Sequence, residues 1–126
     1  NSTKNKKYRK KAGYMTYIHK NLANGKWFAL SFAEQMSNIG AEIGRAIIWR
    51  SKDKNLSQLA FERGLELLDL TIQDKKNRGS RMKEISRLQE VLADYFMGNN
   101  EYGSTDKSWD NYFYFFNAAA AAKYYK

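Results

Sequence analysis

From Ser31 onward the apolar positions of this chain recur at steps of three and four, the period of one face of an α-helix. The first such stretch, Ser31–Arg50, sorts its residues into three sectors. Phe32, Met36, Ile39, Ile43 and Ile47 form an apolar line, and Ala33, Ser37, Gly40 and Gly44 a line of small residues. Gln35, Asn38, Glu42 and Arg45 form a polar line with Trp49 at its foot. A one-sided surface helix needs only the first sector. The small sector lets a second backbone come close, so the stretch reads as the central helix of a bundle. Ser31 and Glu34 have capping-box spacing, in which each side chain satisfies a backbone N–H of the other residue.

Three more helices follow by the same period. Leu56–Asp74 carries apolar residues on two adjoining faces, with Gln58, Glu62, Glu66, Asp69 and Gln73 as its outer stripe and Asn55 as its cap. Arg81–Met97 turns Ile85, Leu88, Leu92, Tyr95 and Phe96 inward, with Ser80 as cap and Gly98 as stop. Asp106–Lys123, capped by Ser104 or Thr105, turns Trp109, Tyr112, Phe113 and Phe116 inward. Short connections between four one-sided helices predict an all-α fold, an antiparallel up-down four-helix bundle over residues 30–126. Residues 1–29 stand before it as a basic N-terminal arm, with Tyr14–Ile18 as a β-prone segment or short helical turn. The first two helices have more apolar perimeter than one bundle needs. That surplus predicts a homo-oligomer, with Gly40, Gly44, Ile47 and Trp49 at the contact.

Charge sharpens the division at the arm. The 126 residues carry a formal net charge of +9. Eight basic side chains and no acid lie in residues 1–26, whereas the remaining hundred hold fourteen basic and thirteen acidic ones. Lys4, Lys6, Lys7, Arg9, Lys10, Lys11, Lys20 and Lys26 are suited to phosphate contacts, which release counterions and make binding salt-sensitive. Tyr8, Tyr14, Tyr17 and Trp27 are interleaved with them and have flat faces on which unpaired bases stack. An acidic protein surface, or no partner at all, are the other readings of such an arm.

Composition removes several kinds of chemistry. Without cysteine there is no disulfide, no thiol nucleophile and no Cys-ligated zinc, which suits a reducing, cytoplasmic setting. The sole histidine, His19, lies in the arm and belongs to no Glu-x-x-His pair of the kind that holds di-iron in bundles. Arg9, ten residues upstream, is too far for an Arg-His ribonuclease pair, and no Ser-His-Asp arrangement or phosphate-binding glycine loop is present. The reading is non-catalytic, with no metal and no cofactor. No apolar run approaches the ~20 residues of a membrane span. Arg63 falls within the apolar sector of the second helix, where a charge either pairs or snorkels to water; Glu42 is the candidate partner. The Gln35–Arg45 polar line is either a solvated face or a seam for a partner.

Gln35-Met36 and Asn38-Ile39-Gly40-Ala41-Glu42 resemble the Gln-apolar and Asn-Ile-Ala-Glu elements of a bacterial four-helix-bundle family. That family comprises the proteins encoded in ribosomal-RNA intervening sequences and the accessory variability proteins of diversity-generating retroelements. The resemblance covers Phe28–Asp74, with the two elements closer together than in that family and no proline between them. It implies a non-enzymatic, ring-like pentamer whose basic surface binds nucleic acid, RNA or DNA, and a reverse transcriptase. The alternative is an adaptor bundle whose arm docks on an acidic protein.

Overall fold

The computed structural model describes residues 25–122. Among them are four α-helices and no strand: α1 (Phe32–Trp49), α2 (Lys54–Gln73), α3 (Ser80–Met97) and α4 (Asp106–Ala122). A 3-10 turn, Trp27–Ala29, precedes α1, and a second, Lys75–Asn77, links α2 to α3.

Local chemistry explains where each helix begins. Ser31 Oγ accepts from the Glu34 N–H at 3.1 Å, and the Ser31 N–H donates to Glu34 Oε1 at 2.9 Å, completing the expected capping box. The start of α2 differs from expectation. Asp53, not Asn55, is the cap, its Oδ1 accepting from the backbone of Asn55 and Leu56 at 3.0 and 3.2 Å. A carboxylate caps as well as an amide and adds a favourable charge at the positive helix end, so the helix starts earlier. Ser80 is likewise the first residue of α3 rather than its cap. The cap position is Gly79 at φ +86°, a left-handed conformation that favours glycine. Thr105 and Ser108 exchange backbone-to-hydroxyl bonds of 2.9 and 3.0 Å ahead of α4.

Paired contacts along the helices establish an antiparallel up-down course. Ser57, near the start of α2, donates to the Ala46 carbonyl near the end of α1 at 2.6 Å, while Thr71 and Asp74 meet the chain around Trp27 and Gln35. Phe61 of α2 stacks on Phe96 of α3, and Gln89 donates to Asp69 at 2.8 Å. Arg50 at the foot of α1 pairs with Asp106 at the start of α4, and Ser37 donates to Asn117 near its end. α1 packs against both α2 and α4 and is the central helix.

Met36, Ile39, Ile43 and Ala46 of α1 are fully buried, with Leu68 of α2 and Ile85 and Leu92 of α3. Trp109, Phe113 and Phe116 close the core from α4. Two glycines set the close approaches. A Cβ at Gly40 would fall 2.7–2.8 Å from Phe113, and one at Gly64 would fall 3.0 Å from Ile43 Cδ1. α3 and α4 are instead joined by long side chains, through Tyr95 against Trp109 and the 2.6 Å bond from the Tyr112 hydroxyl to Glu84.

Candidate nucleic-acid interface

The antiparallel course brings the starts of α1 and α3 and the end of α2 together at one end of the bundle. A buried polar network locks the turn Trp27–Ala29 there. Trp27, 1% exposed, donates from Nε1 to Thr71 Oγ1 at 3.0 Å. Gln35 Nε2 donates to the Trp27 carbonyl at 3.1 Å and to Asp74 Oδ2 at 2.8 Å. Asn77 Nδ2 donates to Gln35 Oε1 and to the Thr71 carbonyl, each at 3.0 Å. Lys76 completes the set, its ammonium pairing with Asp74 and donating to the Phe28 carbonyl at 3.1 Å. Burial pushes the Asp74 carboxyl up, but the bonds from Lys76 and Gln35 outweigh it and hold it below the usual carboxylate range.

This network corrects two readings of the sequence. Trp27 is a core residue and not a stacking platform, because its indole N–H is satisfied inside the bundle. Gln35 leaves the polar line of α1, since the turn and Asn77 cover it completely. Asn38 remains exposed on that line and donates to the Glu34 carbonyl at 2.9 Å.

Around this end the charge is one-sided. Residues 25–122 are formally neutral, with thirteen basic and thirteen acidic side chains. Five of those basic residues, Lys75, Lys76, Arg78, Arg81 and Lys83, fall within nine positions, and all five are exposed. Lys26, also exposed, adjoins them through the locked turn. The acids nearby are engaged: Asp74 with Lys76, Glu34 in the capping box and Glu84 with Tyr112. No side chain caps Gly79, so the first amides of α3 add positive potential beside Arg78 and Arg81. The basic turn Lys75–Gly79 is apparent in the sequence, and Arg81 and Lys83 extend it along α3. Its position beside the turn Trp27–Ala29 is not.

A groove of about 500 Å³ opens on the same end, between α1, α3 and α4. Phe32, Phe115, Phe116 and Tyr112 form its aromatic wall, and Arg81 lies over the Phe32 ring at 4.9 Å. Burial, with the bond to Glu84, pushes the Tyr112 hydroxyl up and keeps it neutral as a donor. A smaller hollow of about 220 Å³ lies between α3 and α4 over Leu88, Val91 and Trp109.

The other sequence-assigned residues fall in different places. Lys4, Lys6, Lys7, Tyr8, Arg9, Lys10, Lys11, Tyr14 and Lys20 lie outside the described residues, as does His19. Of the four contact residues, Gly40 is occupied from within, by Phe113 of the same chain, and Ile47 is half-buried against the core. Gly44 has nothing within 4 Å of an added Cβ, and Trp49 is 38% exposed. The Glu42–Arg63 pair is not formed among the described residues. Glu42 instead takes Arg45, three positions along its own helix, at 2.6 Å, and Arg63 is half-buried. Glu62 and Glu66 of α2 are buried rather than solvent-facing. Among the described residues no cluster of His, Cys, Asp and Glu could hold a metal ion, and no helix is long and apolar enough to cross a membrane.

Comparison with known proteins found no match to this chain among family models, curated proteins or solved structures.

Proposed function

We propose that this chain is a non-catalytic, homo-oligomeric, nucleic-acid-binding bundle that serves as accessory to a nucleic-acid enzyme, a reverse transcriptase being the candidate that the resemblance of α1 suggests. One observation carries the reading. The turn that bears the arm is locked, through Trp27–Thr71 and Lys76–Phe28, against the basic run of Lys75–Lys83. Cations that are remote in sequence thereby border one end of a neutral bundle, and such one-sided charge attracts and holds polyanions. The arm supplies seven further Lys and Arg side chains before Lys26.

Exposed apolar residues support the oligomeric part of the proposal. Ile48, Trp49 and Leu56, 58%, 38% and 41% exposed, cluster where α1 turns into α2. Three large apolar side chains exposed within one helix–turn–helix junction are a candidate contact surface. The second reading is an adaptor bundle whose basic arm docks on an acidic protein.

A gel-shift titration with RNA and with DNA at two salt concentrations tests the function. The full chain is expected to bind both weakly at high salt and more tightly at low salt. Removing residues 1–11 is expected to lower affinity and flatten that dependence. Affinity unchanged at every salt concentration after the removal would contradict the role of the arm.

A further inference from the structure

Phe115 is 69% exposed although its neighbour Phe116 is buried and meets it edge-on, with ring centroids 5.5 Å apart. Phe116 in turn stands edge-on to Phe32 at 5.7 Å and to Tyr112 at 5.5 Å, so the groove wall is a braced set of rings with Phe115 at its outer edge. A large aromatic face left in water is the feature that core packing does not explain. The cation at this wall is Arg81, held over Phe32, and Arg78 lies just before it on the turn into α3. Asn111 and Glu84 place hydrogen-bonding groups on the same wall.

We propose that this groove is a subsite for the unpaired bases of a single-stranded nucleic acid, with Phe115 as the stacking platform and Arg78 and Arg81 as phosphate contacts. The assignment rests on the nucleic-acid reading above and adds the strand type and the residues. An unpaired base matches what the groove offers: an aromatic face for its ring, amide and carboxylate groups for its edge, and cations for its backbone. A volume of about 500 Å³ lies within the usual range of ligand clefts. A duplex keeps its base faces stacked inside and has none to give Phe115. The cationic rim favours this occupant over a second copy of the chain, whose described residues are formally neutral.

The test is fluorescence anisotropy of the full chain with a labelled oligo-dT strand and with a mixed-sequence duplex of the same length. Phe115→Ala is expected to weaken the single strand about tenfold, leaving the duplex affinity and the salt dependence unchanged, because stacking involves no counterion. Phe115→Tyr is expected to restore single-strand binding. The side chain is exposed, so thermal melting of both variants is expected to match the parent. Equal losses on both ligands, or none, would overturn the subsite. So would a fall in oligomer mass with single-strand affinity intact, which would assign the wall to a second copy. Failure of the parent chain to bind either ligand would remove the nucleic-acid reading itself, whereas binding indifferent to Phe115 removes only the groove.

Discussion

Lys76 and Phe28 stand 48 positions apart, yet the Lys76 ammonium donates to the Phe28 carbonyl at 3.1 Å while pairing with Asp74. That bond joins the turn bearing the arm to the turn between α2 and α3. Folding therefore adds Lys26 to a basic run that is itself continuous in sequence.

Gln35 is the hub of this junction, and its loss is expected to be costly. Gln35→Leu leaves the Trp27 carbonyl, Asp74 and Asn77 each short of a bond in a buried site. Stranding buried polar groups costs about 1–3 kcal/mol each, so a loss of at least about 2 kcal/mol is expected. Urea unfolding checks the stability, and a red shift of tryptophan emission checks that Trp27 has been released.

The two glycines of α1 are expected to respond oppositely to alanine. At Gly40 an added Cβ would fall 2.7–2.8 Å from Phe113, so the ring must move, and overpacking of this kind costs about 1–3 kcal/mol. At Gly44 nothing lies within 4 Å, and alanine is expected to stabilise the helix by about 0.5–1 kcal/mol. Adding Phe113→Leu to Gly40→Ala is expected to recover part of the first loss, a coupling that a double-mutant cycle in urea measures.

Acid is expected to loosen both ends of the bundle. Asp74 is held below the ordinary aspartate value of 3.8 despite the opposing pull of burial. Asp106 is also held below 3.8, first by the Tyr95 hydroxyl bond, with burial opposing and Arg50 assisting. A carboxylate with a depressed folded pKa contributes stability that is present above its unfolded value. That contribution is lost as pH falls through the folded value. The melting temperature is therefore expected to hold from neutral pH to about 5 and to fall below about 4. Asp74→Asn combined with Asp106→Asn is expected to lower the neutral-pH value and to reduce the acid dependence.

The cluster at the α1–α2 turn is expected to govern assembly. Ile48→Asp with Trp49→Lys places charges on exposed apolar residues of that turn. Light scattering is expected to report a smaller particle, with the helical circular dichroism retained.

The bundle was legible because helical period and caps are local. Ser31 and Glu34 sit three residues apart, and their reciprocal bonds need no third element. Errors appear where a third element intervenes or two local solutions compete. Asp53 and Asn55 both suit the start of α2, and the charge of Asp53 together with the course of the turn decided between them. Gln35 lies on the polar side of α1 by period, but a turn from upstream and Asn77 from downstream enclose it. Glu42 pairs with the cation three positions along its own helix, Arg45, and not with Arg63 of α2. The basic run at Lys75–Lys83 was plain in composition. Its apposition to the turn Trp27–Ala29 depends on pairs such as Trp27–Thr71, 44 positions apart, which no periodicity encodes. Phe115 is the counterexample within α4, since the helical wheel already placed it off the inward line of Trp109, Phe113 and Phe116.

On the proposed reading, the turn after α2 and the arm act as one cationic end. The direct measurement is the salt dependence of nucleic-acid affinity for the full chain and for Lys75→Ala with Arg78→Ala, two exposed residues outside the buried network. The slope of log affinity against log salt is expected to become shallower by about two, roughly one for each phosphate no longer neutralised, with the melting temperature unchanged. A slope identical to that of the parent would mean that these cations do not face the nucleic acid, and would contradict the account.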